Sequence, residues 1–205
     1  MSNGERWIYI GDSISAGVFT GSPPVRQPAN NLMPTILAKN TGAVIQNLSW
    51  GGARLADGGV QGFGWASNFP TIQRVSGPPK AEGLIISLGT NDWALTTVSG
   101  AEFIAGYRSL IRSAKTLGLK VVGMTPLWRA DGGSRPAKAD GAWNILEWGG
   151  IIAGVCYEEG IHFISGYSAP MTAAHFPDGV HLNDAGHQVW EPYARAEFNR
   201  YGYML

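Results

Sequence analysis

The chain has 205 residues with 15 basic and 15 acidic side chains, so its formal charge is zero and no basic run offers the electrostatic footprint that nucleic acid requires. With 44% hydrophobic residues it fills one core, read as a single domain over residues 1–205, and its one cysteine, Cys156, excludes an intramolecular disulfide and a multi-cysteine metal site. No apolar run approaches the ~20 residues that span a bilayer and no signal peptide is visible, which favours a cytoplasmic setting unless a presequence has been removed.

Trp7 to Ile10 opens a series of short, almost wholly apolar runs, continued by Ala43 to Leu48, Gly83 to Leu88, Lys120 to Met124 and Ile161 to Ile164. Continuous rather than alternating hydrophobicity marks strands buried on both faces, so these runs predict a parallel sheet covered by helices. Helical spacing covers Asn31 to Lys39, Trp65 to Val75, Gly100 to Leu117, Gly141 to Glu159 and Asn183 to Tyr201. From Glu102 to Leu117, for instance, Phe103, Ile104, Tyr107, Leu110, Ile111 and Ala114 recur at three- and four-residue steps before Gly118 ends the helix.

Strand and helix in alternation, joined by right-handed crossovers, predict an α/β fold: a doubly wound three-layer sandwich around a five-stranded, mainly parallel sheet. Ligands of such folds bind beyond the carboxyl ends of the strands. The order of the strands is not legible at this level. Two loops exceed the usual connection length, Ala16 to Asn30 and Trp128 to Asp140, and both leave strands at that ligand face, as the rims of a cleft.

Polar residues follow the strands. Trp7 to Ile10 runs straight into Gly11-Asp12-Ser13, which presents a hydroxyl at the sheet edge. Serines there commonly cap the next turn, so a nucleophile requires a base, an orienter and oxyanion donors from elsewhere in the chain. Asn47-Leu48-Ser49-Trp50-Gly51-Gly52 leaves a backbone amide exposed at a sharp turn, Gly89-Thr90-Asn91-Asp92 offers a carboxamide, and Asp178-Gly179-Val180-His181 brings an acid and an imidazole within one turn.

These four blocks resemble the SGNH hydrolases, the GDSL esterase/lipase family, in the family's order from residue 11 to 181. The first block reads Gly-Asp-Ser-Ile where the family has Gly-Asp-Ser-Leu, and bulky Trp50 stands beside the second-block glycines. The resemblance implies a flavodoxin-like sandwich, Ser13 as nucleophile, His181 as base and then acid, and Asp178 as its orienter. It implies the Ser13 and Gly52 amides and the Asn91 side chain as oxyanion donors.

Other residues compete for these roles. His162 lies within a strand and suits a structural role, and His187 in the first turn of the last helix suits surface or packing. His175 precedes His181 in the same loop but lacks an acid three residues upstream. Asp12 and Asp92 with Asp178 and His181 are too few ligands for a typical metal phosphoesterase, and aspartates beside glycine turns commonly bond local amides, so no metal or other cofactor is expected. Cys156 reads as inert packing, as do Trp7, Trp143, Trp148 and Trp190. Trp50, Trp93 and Trp128 follow strand ends, either lining the cleft or packing under loops. Arg54 and Arg129 are candidates for a polar or anionic substrate group, against plain solvent exposure.

The resemblance therefore implies a cofactor-free serine esterase for a small-molecule or carbohydrate ester. The alternatives are a thioesterase or lysophospholipase at the same site, or an inactive carbohydrate-binding module on this fold. No segment suggests the long apolar groove or lid that burying a fatty chain needs, which predicts short, acetyl-type acyl groups. Aromatic faces beside arginines suit a sugar, with its apolar C–H faces and hydroxyl edges.

Overall fold

The most apolar runs become the inner strands of the sheet. The computed structural model describes residues 4–19, 25–56, 64–66, 68–77, 80–94, 98–130 and 144–203. Its elements are β1 (Arg6–Gly11), the short β2 (Val18–Phe19) and β3 (Val25–Arg26), α1 (Met33–Thr41), β4 (Val44–Asn47), α2 (Phe69–Val75), β5 (Gly83–Ser87), α3 (Thr90–Ala94), α4 (Gly100–Thr116), β6 (Lys120–Met124), α5 (Ile145–Glu158), β7 (His162–Ile164) and α6 (Asp184–Arg200). The main sheet has the order β4-β1-β5-β6-β7 with every neighbouring pair parallel. The chain thus steps outward from β1 to β4, then returns past β1 to build the other half. That reversal beside β1 opens the crevice at the carboxyl end of the sheet where such folds bind ligands.

Successive side chains of a strand point to opposite faces, and the two cores follow this alternation. Ile8 and Ile10 of β1 join Leu84, Ile86, Phe103, Tyr107 and Trp148 on the side of α4 and α5. Trp7 and Tyr9 join Ile85, Val122, Met124, Leu37, Trp190 and Phe198 on the side of α1 and α6. Gly83 is required by this packing, because a Cβ there would lie 2.3 Å from the Trp7 ring.

Burial on both faces holds from Trp7 to Gly11, Gly83 to Ile86 and Val121 to Met124. It fails at the edges: Val44 in β4 is 55% exposed, and β7 begins with exposed His162. Edge strands have a sheet neighbour on one side only, so their apolar residues read like core without being covered.

Helix ends obey their local chemistry. Ser99 accepts the Glu102 amide at the start of α4, and Asn183 accepts the Gly186 amide at the start of α6. Asn144 and Glu147 exchange bonds of 2.9 and 2.7 Å, so α5 begins at Ile145 rather than at Gly141. Gly141 to Trp143 lie outside the described residues, as does most of the Trp128 to Asp140 loop. α2 begins at Phe69 rather than Trp65, and neither α3 nor the β2–β3 pair was expected. No helix among the described residues is long and apolar enough to cross a membrane.

Candidate active site

β1 ends in a turn that only its particular residues allow. A Cβ on Gly11 would come within 2.8 Å of the Ser15 and Ser49 hydroxyls, so glycine lets the two loops close around the strand end. The Ala16 amide donates to the Asp12 carbonyl (3.0 Å), and the Val18 amide to the Ser13 carbonyl (2.9 Å). The Asp12 carboxylate accepts the Ile14 amide at 3.0 Å. It is 3% exposed, and burial pushes its pKa up to about 6. Ser13 is thereby held at the tip of β1, in the crevice made by the chain reversal.

The residues named from the last sequence block meet this serine. Ser13 Oγ and His181 Nε2 lie 2.8 Å apart, and His181 Nδ1 lies 2.7 Å from Asp178 Oδ2. A carboxylate only accepts, so Nδ1 carries the proton and Nε2 faces the hydroxyl as an acceptor. The other carboxylate oxygen accepts the amides of Val180 (2.9 Å) and His181 (2.7 Å). Gly179, at φ 82°, supplies the left-handed turn that aims both amides at it. Asp178 thus binds the imidazole and the backbone beneath it at once, and both side chains are largely covered, at 14% and 12% exposure.

Besides the Ser13 amide, the expected donors come from the Gly52 turn and from α3. Gly52 takes φ 76° and is exposed, with nothing near the place of a Cβ, so backbone conformation rather than space calls for glycine there. Asn91 stands in α3 and donates from Nδ2 to the Ala53 carbonyl at 2.9 Å. Only one amide hydrogen is used in that bond, and it fixes the direction of the other. Next to it, fully buried Asp92 accepts the amides of Leu55 and Ala56 at 2.9 to 3.1 Å. Burial raises the Asp92 pKa to about 6. α3 and the 53–56 segment are therefore stapled together behind the site, and Asp12 and Asp92 both accept backbone amides, local for Asp12 and remote in sequence for Asp92. No group of three His, Cys, Asp or Glu side chains suited to a metal occurs among the described residues.

Several flanking residues lie deeper than expected. Arg54 and Arg129 are 8% and 5% exposed, not solvated, and Trp93 is 2% exposed. The Arg129 guanidinium sits 5.0 Å over the Trp93 ring, so the flat cation covers the indole in place of water. Trp50 packs on Trp65 at 4.6 Å and Trp128 meets Phe176 edge-on at 5.5 Å, each half-buried. Of the three, Trp93 belongs to the core rather than to an open cleft wall.

The other histidines are engaged away from Ser13. His175 Nδ1 accepts the Thr172 amide at 2.9 Å. His162 stacks on Tyr201 and bonds the Tyr203 hydroxyl at 2.9 Å. His187 is not on the surface: it is 1% exposed, accepts the Met33 amide, and burial depresses its pKa to about 4. Sequence reasoning missed Gln27, whose buried side chain donates to the Leu182 carbonyl beside His181. A lone polar residue in a proline-containing loop carries no periodic or motif signal that marks it.

Comparison with known proteins identifies the family and the fold. The model of the GDSL-like Lipase/Acylhydrolase family matches residues 9–189. The native aryl esterase of M. smegmatis superimposes with a TM-score of 0.77 at 20% identity, covering 97% of this chain and 99% of that one. A carbohydrate acetylesterase family member from Sinorhizobium meliloti gives 0.74 at 18% identity, over 95% and 99%. A variant of Axe2, an acetyl-xylooligosaccharide esterase from Geobacillus, gives 0.69 at 19%, over 96% and 94%. At these identities the likeness is one of fold. A comparison with curated proteins gives no significant match.

Proposed function

Since the chain belongs to the GDSL-like lipase/acylhydrolase family and is a carboxylic ester hydrolase, we propose that residues 1–205 act as one hydrolase domain that cleaves short-acyl esters, carbohydrate acetates among them, through an acyl-enzyme on Ser13. The observation that carries this is the unbroken line from Ser13 Oγ through His181 to Asp178, at 2.8 and 2.7 Å. His181 Nε2 takes the hydroxyl proton as Ser13 attacks the ester carbonyl. Asp178 stabilises the imidazolium that forms. The carbonyl oxygen becomes an oxyanion and accepts from the Ser13 and Gly52 amides and the free Asn91 hydrogen. When the ester C–O bond breaks, His181 returns the proton to the departing alkoxide. Water then attacks the acyl-enzyme along the same path, giving the carboxylic acid and restoring Ser13.

The short-acyl preference draws support from the site's walls. Trp50, half-buried and tilted against Trp65, sets a large rigid group beside the Gly52 turn. Each methylene of a longer chain needs apolar surface to gain its roughly 0.8 kcal/mol. Two proteins of similar fold, a carbohydrate acetylesterase family member and an acetyl-xylooligosaccharide esterase, act on acetylated carbohydrates and so favour the same reading.

The test is covalent labelling with a fluorophosphonate followed by peptide mapping, together with kcat/KM on p-nitrophenyl esters from acetate to decanoate and on acetylated sugars. Labelling at Ser13 and a maximum at acetate or propionate are expected. Labelling elsewhere, or a Ser13→Ala variant with wild-type turnover, rules out the nucleophile. A maximum at octanoate or beyond rules out the short acyl group.

A further inference from the structure

The loop that follows the nucleophile is tied to the loop that carries the base. The β2–β3 pair hangs directly from the Ser13 turn, because the Val18 amide donates to the Ser13 carbonyl and Val18 pairs with Arg26. The next residue, Gln27, donates its amide to the Gly17 carbonyl at 2.8 Å. Its side chain then reaches across, where Nε2 donates to the carbonyl of Leu182, 155 residues away in sequence and adjacent to His181.

Leu182 needs such a donor. Its side chain is 1% exposed, anchored in the core against α1 and α6. The helical ladder of α6 begins one residue later, with the His187 amide on the Asn183 carbonyl, while the Gly186 amide is taken by the Asn183 side chain. A buried carbonyl without a partner costs about 1–3 kcal/mol. Gln27 supplies the partner, and in doing so fixes the Leu182–Asn183 peptide, one residue beyond His181.

The same carboxamide is poorly served at its other end. Gln27 is only 9% exposed, and its Oε1 has no hydrogen-bond partner among the described residues. An apolar side chain of the same length would remove that stranded acceptor but leave the Leu182 carbonyl without its donor, one unpaired acceptor in exchange for another. Stability alone therefore does not favour glutamine here. Two weaker ties run alongside, Asn31 to Asp184 at 2.7 Å on the surface and the Met33 amide to His187 at 3.3 Å. Both grip the first turn of α6, whereas Gln27 grips the residue next to the base.

We propose that Gln27 is a positioning residue, a strut from the Ser13 turn to the Leu182 carbonyl that holds His181 Nε2 in register with the serine hydroxyl. Because this role presupposes Ser13 as nucleophile and His181 as base, Ser13→Ala is assayed beside the Gln27 variants. Gln27→Met keeps the length and the burial, removes the donor, and removes the stranded Oε1. The cost of the unpaired Leu182 carbonyl is offset by removal of the stranded Oε1, so the folded enzyme is expected to melt close to the wild-type temperature. Its kcat on p-nitrophenyl acetate is expected to fall about tenfold with KM within twofold, since small misplacements of reacting groups cost up to 10²-fold. Gln27→Ala, measured in parallel, is expected to show the same split between kcat and KM.

A folded Gln27→Met enzyme with wild-type kcat overturns the proposal, and so does a rise in KM at constant kcat, which makes Gln27 a substrate contact. Loss of folding in both variants overturns it as well, since the residue is then a structural strut only. An active Ser13→Ala enzyme brings down the assignment of the site itself, whereas an inactive one beside a normal Gln27→Met enzyme brings down the strut alone.

Discussion

Replacing Asp178 with asparagine separates the chemistry of the site from its architecture. One carboxylate oxygen accepts two backbone amides, from Val180 at 2.9 Å and His181 at 2.7 Å, and the other accepts His181 Nδ1 at 2.7 Å. In the Asp178→Asn enzyme the carboxamide oxygen must keep the backbone side. Turning it round would set an NH2 against two N–H donors and strand both, at about 1–3 kcal/mol each, or roughly 2–6 kcal/mol together. The NH2 group therefore faces the imidazole and donates to Nδ1. The histidine proton moves to Nε2, pointed at Ser13 Oγ, and the ring no longer accepts the serine proton. A carboxylate-to-amide exchange of this kind in a Ser-His-Asp triad costs about 10⁴ in kcat. At 1.36 kcal/mol per decade that corresponds to about 5 kcal/mol of barrier. The fold is held by the same two backbone bonds, so loss of about 1–2 kcal/mol of charge assistance lowers Tm by only about 2–8 °C. The assay is kcat on p-nitrophenyl acetate with a thermal melt on the same preparation. A folded variant within tenfold of wild-type kcat refutes the tautomer argument.

Asn91→Ala should lower kcat about 10²-fold with little change in KM, because its donor bond strengthens only as the oxyanion forms; a pure KM effect would show a ground-state contact instead. His181→Ala should abolish turnover, while His175→Ala, whose imidazole only caps Thr172, should leave the rate of p-nitrophenyl acetate hydrolysis nearly unchanged; the reverse result would make His175 the base. His187→Gln should flatten part of the acid limb of stability. Its folded pKa of about 4 lies below the ordinary histidine value of about 6.5, so the unfolded chain takes the proton first and stability falls as pH drops through that window, by about 2 kcal/mol at pH 5. Buried Asp12 and Asp92, both raised to about 6, act in the opposite direction, since acidification between about 6 and 4 relieves the cost of burying their charge. Urea unfolding of variant and wild type at pH 7 and pH 5 isolates the histidine, and parallel losses in the two proteins would show that His187 contributes nothing to the slope.

The chain's own order of residues determines the elements and the identity of the site blocks. Trp7 to Ile10, Gly83 to Ile86 and Val121 to Met124 are legible because strands buried on both faces leave no room for polar residues, and α4 is legible because its stripe repeats at the helical period. Ser13, Asp178 and His181 stand out because glycine-flanked serine and an acid three residues before a histidine are local patterns, which the structure brings together at 2.8 and 2.7 Å. Other features depend on what lies opposite. The five residues of α3 are too short for a period, and they form a helix where Asp92 is stapled to the Leu55 and Ala56 amides. The exposure of Val44, the burial of Arg54, Arg129, Trp93 and His187, and the order β4-β1-β5-β6-β7 likewise follow from neighbours remote in sequence. Gln27 is the sharpest case. Its importance lies in a single bond to a carbonyl 155 residues away, and hydrogen bonding over such a separation is settled only when the two loops have been brought to the same end of the sheet.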